Sequence, residues 1–276
     1  MSAVTNDHEA LVARAVNGDA DALAALVREL QGFVYNLSMR MLWHPQDAED
    51  AAQEILLRII TRLDRYRGES AFTTWAYRIA VNYLLTTRKR RAEQQAMTAA
   101  EFAEDLAAGM VDPPPGLDSE LLAEEVKIGC THAMLMMLDR PHRVAFILGD
   151  VFGLNSETAA ALTSVTAVAH RQRLARSRRC IRDFMSTNCG LVNPAASCRC
   201  ARRIAPAIAA CRVDPDRPLF AGHPRRTDVQ VAAREMESLH SAAAVYRAEP
   251  DWLAPATVTS FLDKIFREGR LRILAD

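Results

Sequence analysis

DAEDAAQEILLRIITRLDRYRGESAFTTWAYRIAVNYLLTTRKRR, residues Asp47 to Arg91, decides the fold. Its first half starts acidic and ends basic. Ala48, Ala52, Ile55, Ile59 and Leu63 recur there at helical spacing, with Asp50, Gln53, Glu54 and Arg58 on the opposite face. Asp47, Glu49 and Asp50 lie at the positive end of the helix dipole and Arg62 and Arg65 near the negative end, so the charge order alone suits a helix. A Gly-Glu-Ser turn follows. A second helical stretch then carries Phe72, Trp75, Tyr77 and Tyr83 and runs into Arg88, Lys89, Arg90 and Arg91. Rings beside a cationic run suit an unpaired nucleic acid, because rings stack on bases while Arg and Lys follow the phosphates. A core face next to a solvated charge run is the plainer account of the same residues. Phe72, Trp75 and Ile79 share one helical face, so part of the aromatic set belongs to a core.

Outward from that stretch further helices follow. A first helix is expected over about Asp7 to Val16, stopped by Asn17 and Gly18, after which Asp19 caps a second with Leu23, Leu26, Val27 and Leu30 inward. A separate helix carries Phe33, Val34, Leu37, Met41 and Leu42, and Pro45 suits the first turn of the next. Residues 93–120 read as a linker: Glu93 to Glu125 holds many acids and no Lys or Arg, and Pro113, Pro114 and Pro115 form a stiff step.

Beyond it comes LMMLDRPHRVAFILGDVFGLNSETAAALTSVTAVAHRQRLARSRRCIRDFM, Leu135 to Met185. Arg140-Pro141 starts a helix that Gly153 ends, Asn155 or Ser156 caps another, and a turn at Ser164 to Thr166 leads into a helix with Arg171, Gln172, Arg173, Arg176, Arg178 and Arg179. Two helices joined by a tight turn, the second strongly basic, describe a helix-turn-helix. Arg171, Gln172 and Arg173 are the base-edge candidates, since Arg forks onto guanine and Gln onto adenine. Arg176, Arg178 and Arg179 suit phosphates.

The order DAEDAAQE, FTTWAYRIAVN and RKRR resembles region 2 of the extracytoplasmic-function sigma factors, the promoter-specificity subunits of bacterial RNA polymerase, over about Leu23 to Arg91. The helix-turn-helix resembles region 4 of the same family. The resemblance implies that Asp50, Gln53 and Glu54 meet core polymerase. It implies that Asn82, with Trp75 and Tyr77, takes an extruded minus-ten base beside the Gly68 to Ala71 turn. Arg88, Lys89, Arg90 and Arg91 would then hold phosphates, and the basic helix would read the upstream element. Two departures stand out. Thr163 and Ser164 replace an apolar residue and Gly before the turn, and His170, expected to be partly exposed, replaces a small apolar residue.

Residues 187–276 exceed the two sigma regions. Cys189, Cys198, Cys200 and Cys211 lack the paired spacing of a zinc ribbon, and zinc ligation, reversible thiol oxidation and inert thiols all stay open. Arg199, Arg202 and Arg203 are expected to depress the nearby thiols. Val229, Ala232, Ala233, Met236, Leu239 and Ala243 form one further apolar stripe, and Val258, Phe261, Leu262 and Ile265 another.

The 276 residues are half hydrophobic, with 6% aromatics and zero formal net charge, so the nucleic-acid signal is local: nine Arg and one acid lie between Val165 and Arg203. The expected architecture is all-α, with region 2 over 1–92, an acidic Pro-containing linker over 93–120, a region 4 helix-turn-helix over 121–186, and a small Cys-containing helical extension over 187–276. The expected protein is a non-enzymatic sigma factor that binds core RNA polymerase and double-stranded and melted promoter DNA, with an anti-sigma factor as a further partner class. It requires no cofactor, zinc in the extension being the one candidate. No Walker-type Gly loop, HExxH pair or Ser/His/Asp set competes. Met1 to Glu9 has no apolar signal core and no stretch reaches the roughly 18–20 apolar residues of a membrane helix, so a cytoplasmic location is expected. A free-standing helix-turn-helix regulator and a thiol- or metal-based redox sensor are the alternatives.

Overall fold

A computed structural model describes residues 2–88, 91–94, 96–112, 119–220, 242–247 and 251–260, with backbone alone at 2–7, 91, 92 and 243. Among the described residues every regular element is helical, and a single bridge between Cys189 and Cys198 is the only extended pairing. The expectation of an all-α chain holds. Internal contacts divide the chain into two compact units that interleave along the sequence. One comprises Met1–Arg90, Asn155–His170 and Asp251–Asp276, and the other Arg91–Leu154 and Arg171–Pro250.

The first unit begins with α1 (Ser2–Val16), longer at its start than the sequence suggested, and ends it with Gly18 at φ +90°. In α2 (Ala20–Leu42) the Asp19 side chain accepts from the amides of Asp21 and Ala22, which holds that carboxyl below its usual range with help from Arg14. The two helices expected between Leu23 and Leu42 are one. A Cβ at Gly32 would meet nothing within 4 Å, and the buried stripe Leu23, Leu26, Leu30, Val34, Leu37 and Met41 runs straight past it. Continuous burial outweighs the roughly 1 kcal/mol that a mid-helix glycine costs. The helix ends where Trp43 takes a left-handed conformation, φ 59°, and its amide returns to the Met39 carbonyl.

α3 (Pro45–Ile60) starts at Pro45 without a side-chain cap and buries Ala48, Ala51, Ala52, Ile55, Leu56, Ile59 and Ile60. α4 (Phe72–Thr86) packs across α2 and α3 with Phe72, Ala76, Ala80, Val81 and Leu84 inward.

The second unit holds α5 (Arg91–Gln94), which straddles the start of the segment read as a linker, and α6 (Ala99–Ala108), which lies inside it. The missed signal is local. Thr98 and Glu101 form a reciprocal capping box, with Thr98 Oγ1 accepting from the Glu101 amide at 3.2 Å and Glu101 accepting from the Thr98 amide at 2.7 Å. The proline step at 113–115 lies outside the described residues. α7 (Ser119–Met136) packs Leu122 and Val126 against Ile204, Ala207 and Val213. α8 (Arg140–Phe146) is capped by Asp139 and widens into a π-type turn over Ile147–Val151. At Gly149 a Cβ would meet Leu174 at 2.7 Å, so glycine there admits the basic helix.

α9 (Ser156–Thr163) follows the Asn155 cap in the first unit. α10 (Ala167–Asn188) is one continuous helix. α11 (Ile204–Ala209) and α12 (Ala242–Arg247) complete the second unit. The stripe from Val229 to Leu239, together with Phe261, Leu262 and Ile265, falls outside the described residues, and Ala243 is described by backbone alone.

Candidate nucleic-acid interface

α4 separates its aromatic residues from its exposed polar ones. Phe72 is buried and lies in a ring cluster with Tyr66 at 5.6 Å and Trp75 at 6.0 Å, while Tyr66 also meets Trp75 at 5.7 Å. Tyr77 stacks on Phe33 at 3.7 Å, and burial pushes its hydroxyl up to about 12. The Arg58 guanidinium covers the Tyr83 ring at 4.7 Å. Trp75 and Tyr77 are therefore half-buried and engaged in the fold on one face each.

Asn82 is exposed one turn before the helix end, with Arg88 exposed just beyond. Lys89 and Arg90 lie outside the described residues, and Arg91 is described by backbone alone. The turn before α4 depends on Gly68 at φ +72°, and a groove of about 480 Å³ there is lined by Glu9, Val12, Ala13, Leu63, Tyr66 and Gly68, among others.

In the helix-turn-helix, Asn155 accepts from the Thr158 amide at 2.8 Å, settling which residue caps α9. Ser164 occupies the left-handed position, φ 54°, where glycine would be less strained, and Thr163 is buried with its hydroxyl on the Ala159 carbonyl at 2.9 Å. His170 is buried rather than partly exposed, with 1% of its surface accessible. That burial puts it on the inner side of α10. α9 packs along α4, and Arg78 Nε donates to the Ala161 carbonyl at 3.1 Å.

The basic helix α10 is not uniform. Arg171, Gln172, Arg176 and Arg179 are exposed and Arg173 is half-buried. Arg178 forks onto Asp150, with Nε at 2.9 Å and a terminal nitrogen at 2.7 Å, and the Asp150 side chain is only 1% accessible. This ion pair raises the Arg178 guanidinium above its ordinary value and gives the residue a structural partner that the sequence pattern had concealed.

On α3, Asp50 is exposed and Glu54 pairs with Arg58 at 2.7 Å. Gln53 donates to the backbone carbonyl of Thr257 at 2.7 Å, and the Thr257 hydroxyl donates to Glu49 at 2.8 Å. The C-terminal segment thus lies on the face expected to bind polymerase.

None of the six cysteines is in a disulfide. Cys189 and Cys198 are bridge partners, Cys200 packs against the Leu122 and Val126 face of α7, and Cys130 lies one turn further along α7 from Val126. Cys211 stands apart, exposed at φ 54°. Among the described residues no three His, Cys, Asp or Glu side chains are already arranged to hold a metal. Burial pushes the Cys130 thiol well above its ordinary range, and Cys200, Cys189 and Cys198 add to the shift. Burial also raises Cys198, where it outweighs the lowering by Arg203 and Arg199 that the sequence led us to expect.

This all-helical arrangement is consistent with the helical domains of a sigma-type transcription factor. The sigma-70 region 2 family matches residues 26–94. The RNA polymerase sigma-H factor of Pseudomonas aeruginosa is 33% identical over 177 residues, spanning 62% of this chain and 90% of its own. The ECF RNA polymerase sigma-E factors of Escherichia coli K12 and Salmonella typhimurium LT2 are each 32% identical over 179 residues, spanning 63% of this chain and 91% of theirs. The chain belongs to the ECF sigma factors and is an RNA polymerase sigma factor for transcription initiation. More than a third of it has no counterpart in those alignments. Among the described residues no helix is long and apolar enough to cross a membrane.

Proposed function

We propose that this sigma factor docks on core polymerase through the outer face of α3, with Asp50, Gln53 and Glu54 in contact, and opens promoters through α4. Asn82 supplies an amide, both donor and acceptor, to an extruded base, and Arg88 to Arg91 hold the adjoining phosphates. Arg171, Gln172 and Arg173 read the upstream element in the major groove, with Arg176 and Arg179 on its backbone. The observation that carries this reading is the exposure of Asn82 on a helix whose aromatic residues are anchored inward, next to an exposed cation. The polymerase performs the bond chemistry, and the sigma factor works beside it in the cytoplasm. An anti-sigma factor is a further partner class.

Run-off transcription with sigma-free core polymerase tests it. Specific starts with the full chain, lost on Asn82→Ala, are expected. Binding to palindromic DNA as a dimer, with no core binding, would instead favour a free-standing regulator.

For the extension we propose a thiolate site for zinc made by Cys130, Cys189, Cys198 and Cys200, closed by rotation of the side chains, with Cys211 outside it. What supports this is proximity: Cys200 packs on the α7 core, Cys189 and Cys198 are bridge partners, and all three act electrostatically on Cys130. Metal analysis of the full chain decides. One zinc per chain should survive Cys211→Ser and be lost in Cys130→Ser. A metal-free chain, or one indifferent to Cys130→Ser, refutes it.

A further inference from the structure

The C-terminal segment holds the outer helices of the first unit with a small number of well-formed contacts. Asn36 Nδ2 donates to the Trp252 carbonyl at 2.8 Å, and the Trp252 amide donates back to Asn36 Oδ1 at 2.7 Å. One side-chain amide thereby pairs with both backbone groups of one residue, as a neighbouring strand would. One turn along α2, the Arg40 guanidinium lies over the Trp252 ring at 4.7 Å and reaches Asp251 at 3.3 Å. The segment then crosses to α3, where Thr257 engages Glu49 and Gln53, again one turn apart.

The composition of this contact points to a cover that comes off. Asn36 and Arg40 are 4% and 1% accessible, yet they sit on a helix whose other buried positions are mostly apolar. Polar groups at that place can be rehydrated when the segment leaves, whereas an apolar face could not. Among its described residues the segment commits only two apolar side chains to deep burial, Trp252 at 4% and Val258 at 0% accessible. Gln53 meanwhile spends its amide donor on the tail.

We propose that residues 251–258 are an intramolecular occupant of the polymerase-docking face, so that the free chain is held closed and core polymerase binds only as this segment is displaced. The proposal rests on the assignment of α3 as the docking helix. A closed state taxes apparent affinity by the fraction of open molecules, so weakening the cover strengthens core binding without adding a contact.

The test uses the full chain and sigma-free core polymerase. Hydrogen exchange on the wild-type chain should show residues 251–258 protected when free and exposed when core is bound. Trp252→Ala should bind core about tenfold more tightly. Asp50→Ala should weaken both chains. If core binds, Asp50→Ala weakens it, and the segment stays protected in the complex, the cover is overturned and the docking helix stands. If Asp50→Ala changes nothing, or core does not bind, the docking assignment is overturned and the cover goes with it. Hydrogen exchange needs no variant, so poor folding of Trp252→Ala leaves the question decidable.

Discussion

Replacing Arg178 by alanine should destabilise the second unit, although its neighbours on the same basic helix are proposed to act on DNA. The replacement strands Asp150, whose side chain is 1% accessible and whose two oxygens accept three bonds from Arg178. Removing one partner of a buried pair costs about 3–5 kcal/mol. Two features lower that figure here. The Arg178 side chain is half exposed at 51%, and Arg247 stands 3.9 Å from the same carboxylate. About 2 kcal/mol remains after that discount, or a fall of roughly 4–8 °C in Tm for a unit of this size. Arg176→Ala, at an exposed site, should change stability by no more than about 0.5 kcal/mol. It should instead weaken promoter binding and lower the salt slope by about 0.9. Thermal unfolding and salt-titrated DNA binding of the two variants make the comparison. Adding Asp150→Asn to Arg178→Ala should recover part of the lost stability, because the uncompensated buried charge is gone. If Arg178→Ala melts like Arg176→Ala and instead lowers the salt slope equally, the structural role assigned to Arg178 is wrong.

Three further outcomes follow from the same geometry. Ser164→Gly should stabilise the turn by about 1 kcal/mol, since the left-handed conformation at φ 54° penalises any Cβ, and urea unfolding would read the gain. Asp105 is held below its ordinary value by the Arg212 hydrogen bond first, with Arg203 adding to it. Its contribution is therefore complete above the unfolded carboxylate value near 3.9 and is lost as pH falls through the lower folded value; the Tm difference between wild type and Asp105→Asn should be flat at neutral pH and vanish in strong acid. Asn82→Ala should weaken promoter opening by about 1–3 kcal/mol, the worth of a two-bond amide contact to a base. Permanganate reactivity of the minus-ten thymines measures this, and normal opening by Asn82→Ala would exclude it from base capture.

What was legible in the sequence is what four or five neighbouring residues determine. Asp19 and Asn155 are caps because a short acceptor side chain before an apolar stripe meets amides two or three residues ahead, and Pro45 starts a helix because it needs no donor there. The same reasoning overlooked Thr98 and Glu101, whose capping box was present in the sequence but masked by the surrounding acidic and alanine-rich composition. It also divided α2 between Leu30 and Phe33, where the buried stripe runs on unbroken and keeps the helix continuous.

The unread part of the site is non-local, and physical reasons make it so. A helical wheel places Arg178 with Arg171 on one basic helix, but only Asp150, 28 residues away, gives Arg178 a buried carboxylate to pair with. Cys130 comes under the electrostatic influence of Cys200, Cys189 and Cys198, thiols at least 59 residues away in sequence, with Cys200 packed on the core of α7. Asn36 meets Trp252 across 216 residues, so its role depends on a segment whose sequence alone reads as an ordinary amphipathic end. The order of a family motif specifies which surface can bind a partner; it does not specify whether that surface is open. In this chain the same Gln53 amide that the motif offers to polymerase donates to Thr257. Extensions appended to a conserved unit can therefore change its availability without changing a single residue of the motif itself.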